Sequence, residues 1–229
     1  MTGCLPSHRG GGGTGPAPLD RLSTSITGVA TARTALLDAI GDVQSGARAI
    51  DATDAICAQG HGVSARDTHR TGAESIASAQ ASAKNLPTLV DNYRAALAAL
   101  KRSDGAVTGA RRTALQKVVS DGLAEAQAVA DFQAVLTTAW VQYSTLDGQE
   151  KLWIKRAVTP WYRTDKEGAD AYAVLVGPFR RFVTIARTQL ATASRTVRGP
   201  VAVQSATLAA ADKALSGLRK PTPTPTLAG

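Results

Sequence analysis

Asp54, Cys57 and His61 follow one another at i, i+3 and i+7, and His69 comes eight residues later. Cysteine thiolate and imidazole are metal ligands that a carboxylate can complete, so one helix face carrying all three would supply most of a zinc-type donor set. Gly60 and Gly62 flank His61, however, and glycine ends helices, so the face is not expected to persist that far. The expectation is a free, half-buried Cys57, no metal and no other cofactor.

Basic and aromatic residues form a second concentration. Residues 1–149 carry 13 basic and 13 acidic side chains, whereas residues 150–229 carry 13 basic and 5 acidic, so the whole net charge of +8 belongs to the last third. Eight of the ten aromatic residues lie between positions 140 and 182, so the rings and the excess charge overlap. Trp153, Trp161 and Tyr162 alternate there with Lys155, Arg156, Arg163, Arg180 and Arg181. Cations interleaved with rings can hold an anionic ligand, the rings adding stacking or shape. Packing gives an alternative account, and the favoured one: rings filling the wide end of a bundle, with arginine stems covering apolar surface. No nucleic-acid fold signature accompanies the cations, which is what favours packing; in a protein facing outward an anionic lipid or wall polymer is preferred to nucleic acid as the ligand, and in a cytoplasmic one that preference reverses.

The chain has no glycine-rich phosphate loop, no HExxH and no GxSxG. Glu150 and the Asp165, Glu167, Asp170 group read as helix-start carboxylates, which complement the helix dipole, rather than as an acid/base pair. A non-enzymatic protein is therefore expected.

The opening Met1-Thr2-Gly3-Cys4 is followed by a Gly/Pro-rich stretch from Gly10 to Pro18 with the composition of a flexible tether. Thr2-Gly3-Cys4 resembles the end of the bacterial lipobox, with Met1 standing where that motif usually has leucine. The resemblance implies that Cys4 carries a lipid and that the protein is anchored facing outward from the cell membrane; a cytoplasmic protein is the alternative. Acylation of that kind would hold a soluble body at a surface without a spanning helix. No run approaches the roughly 20 apolar residues a spanning helix needs.

Positioning these groups falls to helices. The 44% apolar content is rich in Ala and Val, which suits thin layers of small side chains between closely approaching helices. From Leu22 to Ile50 apolar positions recur at spacings of three and four, with Arg33 falling in the stripe. A helix over 19–58 would be about 60 Å long and needs a long partner. Gln59-Gly60-His61-Gly62 is a turn, and Ser64 with Asp67 resembles a capping box for the second helix. Pro87 either kinks that helix or begins another. Ser103-Asp104-Gly105 turns the chain into a third helix that Asp147-Gly148 is expected to close. Thr164 to Glu167 forms a capping box for a helix interrupted at Gly177-Pro178, and Gly199-Pro200 opens a last helical stretch.

The expected architecture is all-α: an elongated antiparallel bundle of three to four long helices with shorter C-terminal helices. Its parts are a tether over 1–18, a bundle over 19–219 and a Pro/Thr tail over 220–229. Short turns favour antiparallel neighbours within one chain, hence a monomer. The function expected is a cell-surface lipoprotein acting as a binding or scaffolding module; a helical assembly component of a phage or secretion apparatus is the alternative.

Overall fold

The computed structural model describes residues 18–159 and 161–216, so Cys4 and the terminal segments lie outside the described residues. Four long helices account for nearly all of them: α1 (Pro18–Cys57), α2 (Gly62–Ser103), α3 (Gly109–Val158) and α4 (Asp165–Leu215). No strand occurs among the described residues. The chain runs up, down, up and down, and α4, at 51 residues, would extend about 76 Å.

The apolar stripes read from sequence are the core. Leu22, Val29, Leu36, Val43 and Ile50 of α1 meet Leu86, Val90, Leu97 and Leu100 of α2, with Leu115, Val129 and Leu136 of α3 and Val176, Val183 and Val197 of α4, all in one buried cluster. Burying each such side chain contributes roughly 1.5–3 kcal/mol, so stability is spread along the bundle rather than concentrated at one centre.

Small residues set the closest approach. Gly46 of α1 sits where a β-carbon would collide with the Ala79 side chain, approach the Ser75 carbonyl to 2.8 Å and meet the Trp140 ring at 3.2 Å. Gly72 of α2 faces Ala49 in the same way, at 2.8 Å. These contacts draw α1 and α2 together, and α3 and α4 form the other tight pair. Between α1 and α4 the backbones come close at few positions, and long polar side chains span the seam instead.

Four expectations about helix ends are corrected. Asp147-Gly148 does not close α3, because Lys151 one turn on and His69 of α2 both bind Asp147, and Gly148 faces open space. Gly177-Pro178 and Gly199-Pro200 do not divide the C-terminal region, and among the described residues no shorter helix follows α3: Pro178 and Pro200 both lie inside α4. A proline removes one helical hydrogen bond and crowds the carbonyl four residues back. Buried Tyr172, Val176 and Val183 around Pro178, and Val197 and Gln204 around Pro200, fasten the helix on both sides of each. Pro87 is likewise inside α2, between buried Leu86 and Val90. The Ser64–Asp67 box does not form either: α2 starts at Gly62 with His61 preceding it and no side-chain cap. The Thr164 box does form, with Thr164 Oγ1 accepting from Glu167 N at 3.2 Å and Glu167 Oε2 accepting from Arg163 N at 2.8 Å.

Candidate functional site

Trp153 shapes the end of the bundle where α3 passes to α4. It is fully buried, donates from Nε1 to the Gly168 carbonyl at 2.9 Å, stacks on Tyr162 at 6.2 Å and meets Tyr172 edge-on at 5.4 Å. The indole thus fixes the link between the two helices from inside. Gly60 in the opposite turn has φ +81, and a β-carbon there would run into the Asp165 carbonyl, so the two turns are tightly apposed. A hollow of about 460 Å³ lies beside this contact, lined in part by His61, Tyr162, Arg163 and Asp165.

Within about six turns of that end, a polar layer crosses the α1–α4 seam. Arg187 of α4 donates from Nε to Asp51 Oδ1 at 2.6 Å and from Nη2 to Asp54 Oδ2 at 2.8 Å. Arg180 donates to both Asp54 oxygens, at 3.2 and 3.1 Å, while its guanidinium lies 5.8 Å from the centre of the Tyr172 ring. Tyr172 donates to Asp54 Oδ1 at 2.7 Å, and Tyr143 of α3 to Asp51 Oδ2 at 3.3 Å. Asp54 is buried, and with two guanidinium partners and a phenol its acceptor sites are well supplied.

Glu150 of α3 is beside this layer and outside its network. It is fully buried and neither carboxyl oxygen has a hydrogen-bond partner among the described residues. Burial pushes its carboxyl up to about 10, Asp54, Asp147 and Asp51 adding to the rise and Arg187 opposing it. Glu150 is therefore protonated at neutral pH, which spares the interior an uncompensated anion. The same surroundings raise the Tyr172 phenol and the Cys57 thiol, burial being the largest cause in both. A thiol held protonated is a poor nucleophile and a poor ligand.

A second layer lies nearer the other end. Arg33 of α1 grips buried Glu125 of α3 with Nε at 3.1 and 2.9 Å and Nη2 at 2.8 Å, and reaches the Val201 carbonyl and Ser205 Oγ of α4 at 3.0 and 2.9 Å. Tyr93 of α2 donates to Glu125 Oε2 at 2.7 Å, and Gln204 of α4 donates to the Tyr93 hydroxyl at 3.2 Å. All four helices therefore meet in this one network.

The expected contact set divides. Trp153 is core, which corrects its place on a ligand-facing surface: the ring carries more apolar area than any other side chain here and is used to close the bundle. Arg180 is committed to Asp54 and Tyr172, and Tyr162 is half-buried against Trp153. Lys155, Arg156, Trp161 and Arg163 remain together on the outside of the α3–α4 end, Trp161 being 72% exposed. None of these three cations has a side-chain ion-pair or hydrogen-bond partner among the described residues. Arg181 is also exposed, but 16 residues beyond the first residue of α4 it is about 24 Å further along that helix.

The metal-type residues have separate partners. Asp54 serves the arginines, Cys57 is buried and free, His61 Nε2 lies 3.4 Å from Asp165 and His69 Nε2 lies 2.8 Å from Asp147. Among the described residues no group of three or more such side chains is placed to hold a metal ion. Glu150, read from sequence as a helix-start residue, is instead mid-helix and buried, and Arg187 and Glu125 went unnoticed. No protein-family model, curated protein or solved structure matches the chain.

Proposed function

We propose that this protein is a non-enzymatic binding or scaffolding module that an acylated Cys4 holds at the outer face of a cell membrane, and that it contacts anionic lipid or wall polymer with the α3–α4 end of its bundle. One observation carries the reading: Lys155, Arg156 and Arg163 are exposed beside the exposed Trp161 with no carboxylate partner among the described residues. The deeper arginines, Arg33, Arg180 and Arg187, are all spent on helix-to-helix contacts.

Exposed cations near an anionic surface are each worth up to about 1 kcal/mol, attenuated by salt over a Debye length of about 8–10 Å. An indole that is free to leave water adds an interfacial anchor. Co-sedimentation with vesicles of phosphatidylglycerol and phosphatidylcholine tests the reading. Binding that rises with the anionic fraction and falls with salt supports it; equal binding to purely zwitterionic vesicles, or none, contradicts it. An intact mass from the native host that begins at an acylated Cys4 supports the anchor, and an unmodified cysteine contradicts it.

A further inference from the structure

Pro178 and Pro200 bracket the part of α4 that carries Arg180, Arg187 and Ser194, the partners of Asp54, Asp51 and Gln44 on α1. Each proline lacks the N–H that would bind the carbonyl four residues back. Between them Thr184, Thr188 and Thr196 return their hydroxyls to the carbonyls of Arg180, Thr184 and Thr192. Both features weaken a helix locally and let it bend.

The flanking parts of α4 are held from several sides. Before Pro178, Trp153 Nε1 donates to the Gly168 carbonyl, and Gly168 fits closely against the Gly60 backbone. After Pro200, Arg33 ties Val201 and Ser205 to Glu125. In the closed bundle Val183 and Leu190 keep the segment between the prolines in the core. Its bonds to α1, by contrast, can be exchanged for water: Arg180 and Arg187 are 41% and 32% exposed, and Gln44 meets Ser194 at 3.2 Å.

Behind those bonds Glu150 of α3 is enclosed, and its carboxyl oxygens have no partner among the described residues. The groups that act on it are Asp51, Asp54 and Cys57 of α1, Tyr172 and Arg187 of α4 and Asp147 of its own helix, with His69 of α2 bound to Asp147. Parting α1 from the α4 segment is what gives this carboxyl water, and a hydrated carboxyl is ionised at neutral pH.

We propose that the α4 segment between Pro178 and Pro200 swings away from α1 as a unit smaller than the whole bundle, and that Glu150 releases its proton to water when it does. Alkaline conditions open this gate and acid closes it. The closed carboxyl keeps its proton up to about 10, against an ordinary value of 4.5, so the open fraction grows about tenfold per pH unit between those limits. Lys155, Arg156 and Arg163 all lie outside the segment, so the gate stands or falls apart from the anionic-surface reading.

Thiol labelling of the full chain is the test, with Val183→Cys as the reporter inside the segment and Val29→Cys as the control beyond the Arg33 layer; both valines are buried. Labelled peptides resolved by mass separate the introduced thiol from Cys4 and Cys57, each rate is referred to the denatured chain at the same pH, and far-ultraviolet circular dichroism confirms the fold of each variant. Between about pH 7.5 and 9.5, above the ordinary histidine range, the reporter should label about tenfold faster per pH unit, and about tenfold or more faster than the control throughout. Glu150→Gln and Glu150→Met should each flatten that slope. Pro178→Ala combined with Pro200→Ala should slow the reporter about tenfold, by restoring two helical donors. A reporter no faster than the control would mean that only unfolding of the whole chain exposes the seam, which overturns the proposal. A slope unchanged by both Glu150 variants, or a rate unchanged by replacing the prolines, overturns it as well.

Discussion

Arg187 of α4 and Asp54 of α1 are joined at 2.8 Å although 133 residues separate them, in a seam where those two backbones come close at few positions. The contact fixes where α4 sits against α1, and through Arg180 and Tyr172 it also fixes the end of the bundle that carries the exposed cations.

Asp54→Ala should lower stability by about 2–4 kcal/mol, because it strips a buried acceptor from two arginines and a phenol. Arg187 is 32% exposed and can turn to water, which keeps the loss below the figure for a fully enclosed pair. Thermal unfolding should show a fall of about 5–15 °C. An unchanged midpoint would mean that the arginines do not hold α4 in solution.

Glu150 makes stability depend on pH with a definite sign. Its carboxyl titrates about 10 in the folded protein against an ordinary value of 4.5, so between these limits the folded state holds a proton that the unfolded chain has released. The contribution is intact below about pH 4.5 and is lost as pH rises toward 10, at about 1.4 kcal/mol per pH unit. Chemical denaturation between pH 5 and 8 should show this decline in the wild type and not in Glu150→Gln. Equal slopes in the two proteins would contradict a protonated Glu150.

Two glycines of the helices should respond in opposite directions. Gly46→Val should destabilise by about 3 kcal/mol or more, because its side chain has only the space now filled by Ala79, Ser75 and Trp140. Gly148→Ala meets nothing within 4 Å and should stabilise α3 by about 0.5–1 kcal/mol. Urea midpoints of the two variants would check the pair, and two shifts of the same sign would contradict the described packing.

The heptad stripe made α1 readable almost to the residue, since apolar spacing depends only on which side faces the core. Turn glycines marked the reversals at Gly60 and Gly105 for the same local reason. The unity of α4 was not readable: Gly177-Pro178 is a sound local signal for a break, and only the tertiary burial of Tyr172, Val176 and Val183 overrides it. The polar layers did leave a trace. Arg33 interrupts the α1 stripe because it is the partner of Glu125, and Val129, Leu136, Tyr143 and Glu150 fall at strict spacings of seven, which places Glu150 in the α3 seam. The contact surface was legible as a region but not residue by residue, because composition does not say which side of a helix a tryptophan occupies. Trp153 and Trp161 are eight residues apart, one enclosed and the other in water.

On the proposed function, the exposed cations and Trp161 at the α3–α4 end bind an anionic surface. A quadruple variant, Lys155→Ala, Arg156→Ala, Trp161→Ala and Arg163→Ala, removes them without touching a buried side chain, so its thermal midpoint should match the wild type. Titrated with phosphatidylglycerol vesicles at about 50 mM salt, where the Debye length is near 14 Å, it should bind at least tenfold more weakly than the wild type and show a flatter salt dependence. Undiminished affinity with the same salt dependence would contradict the claim.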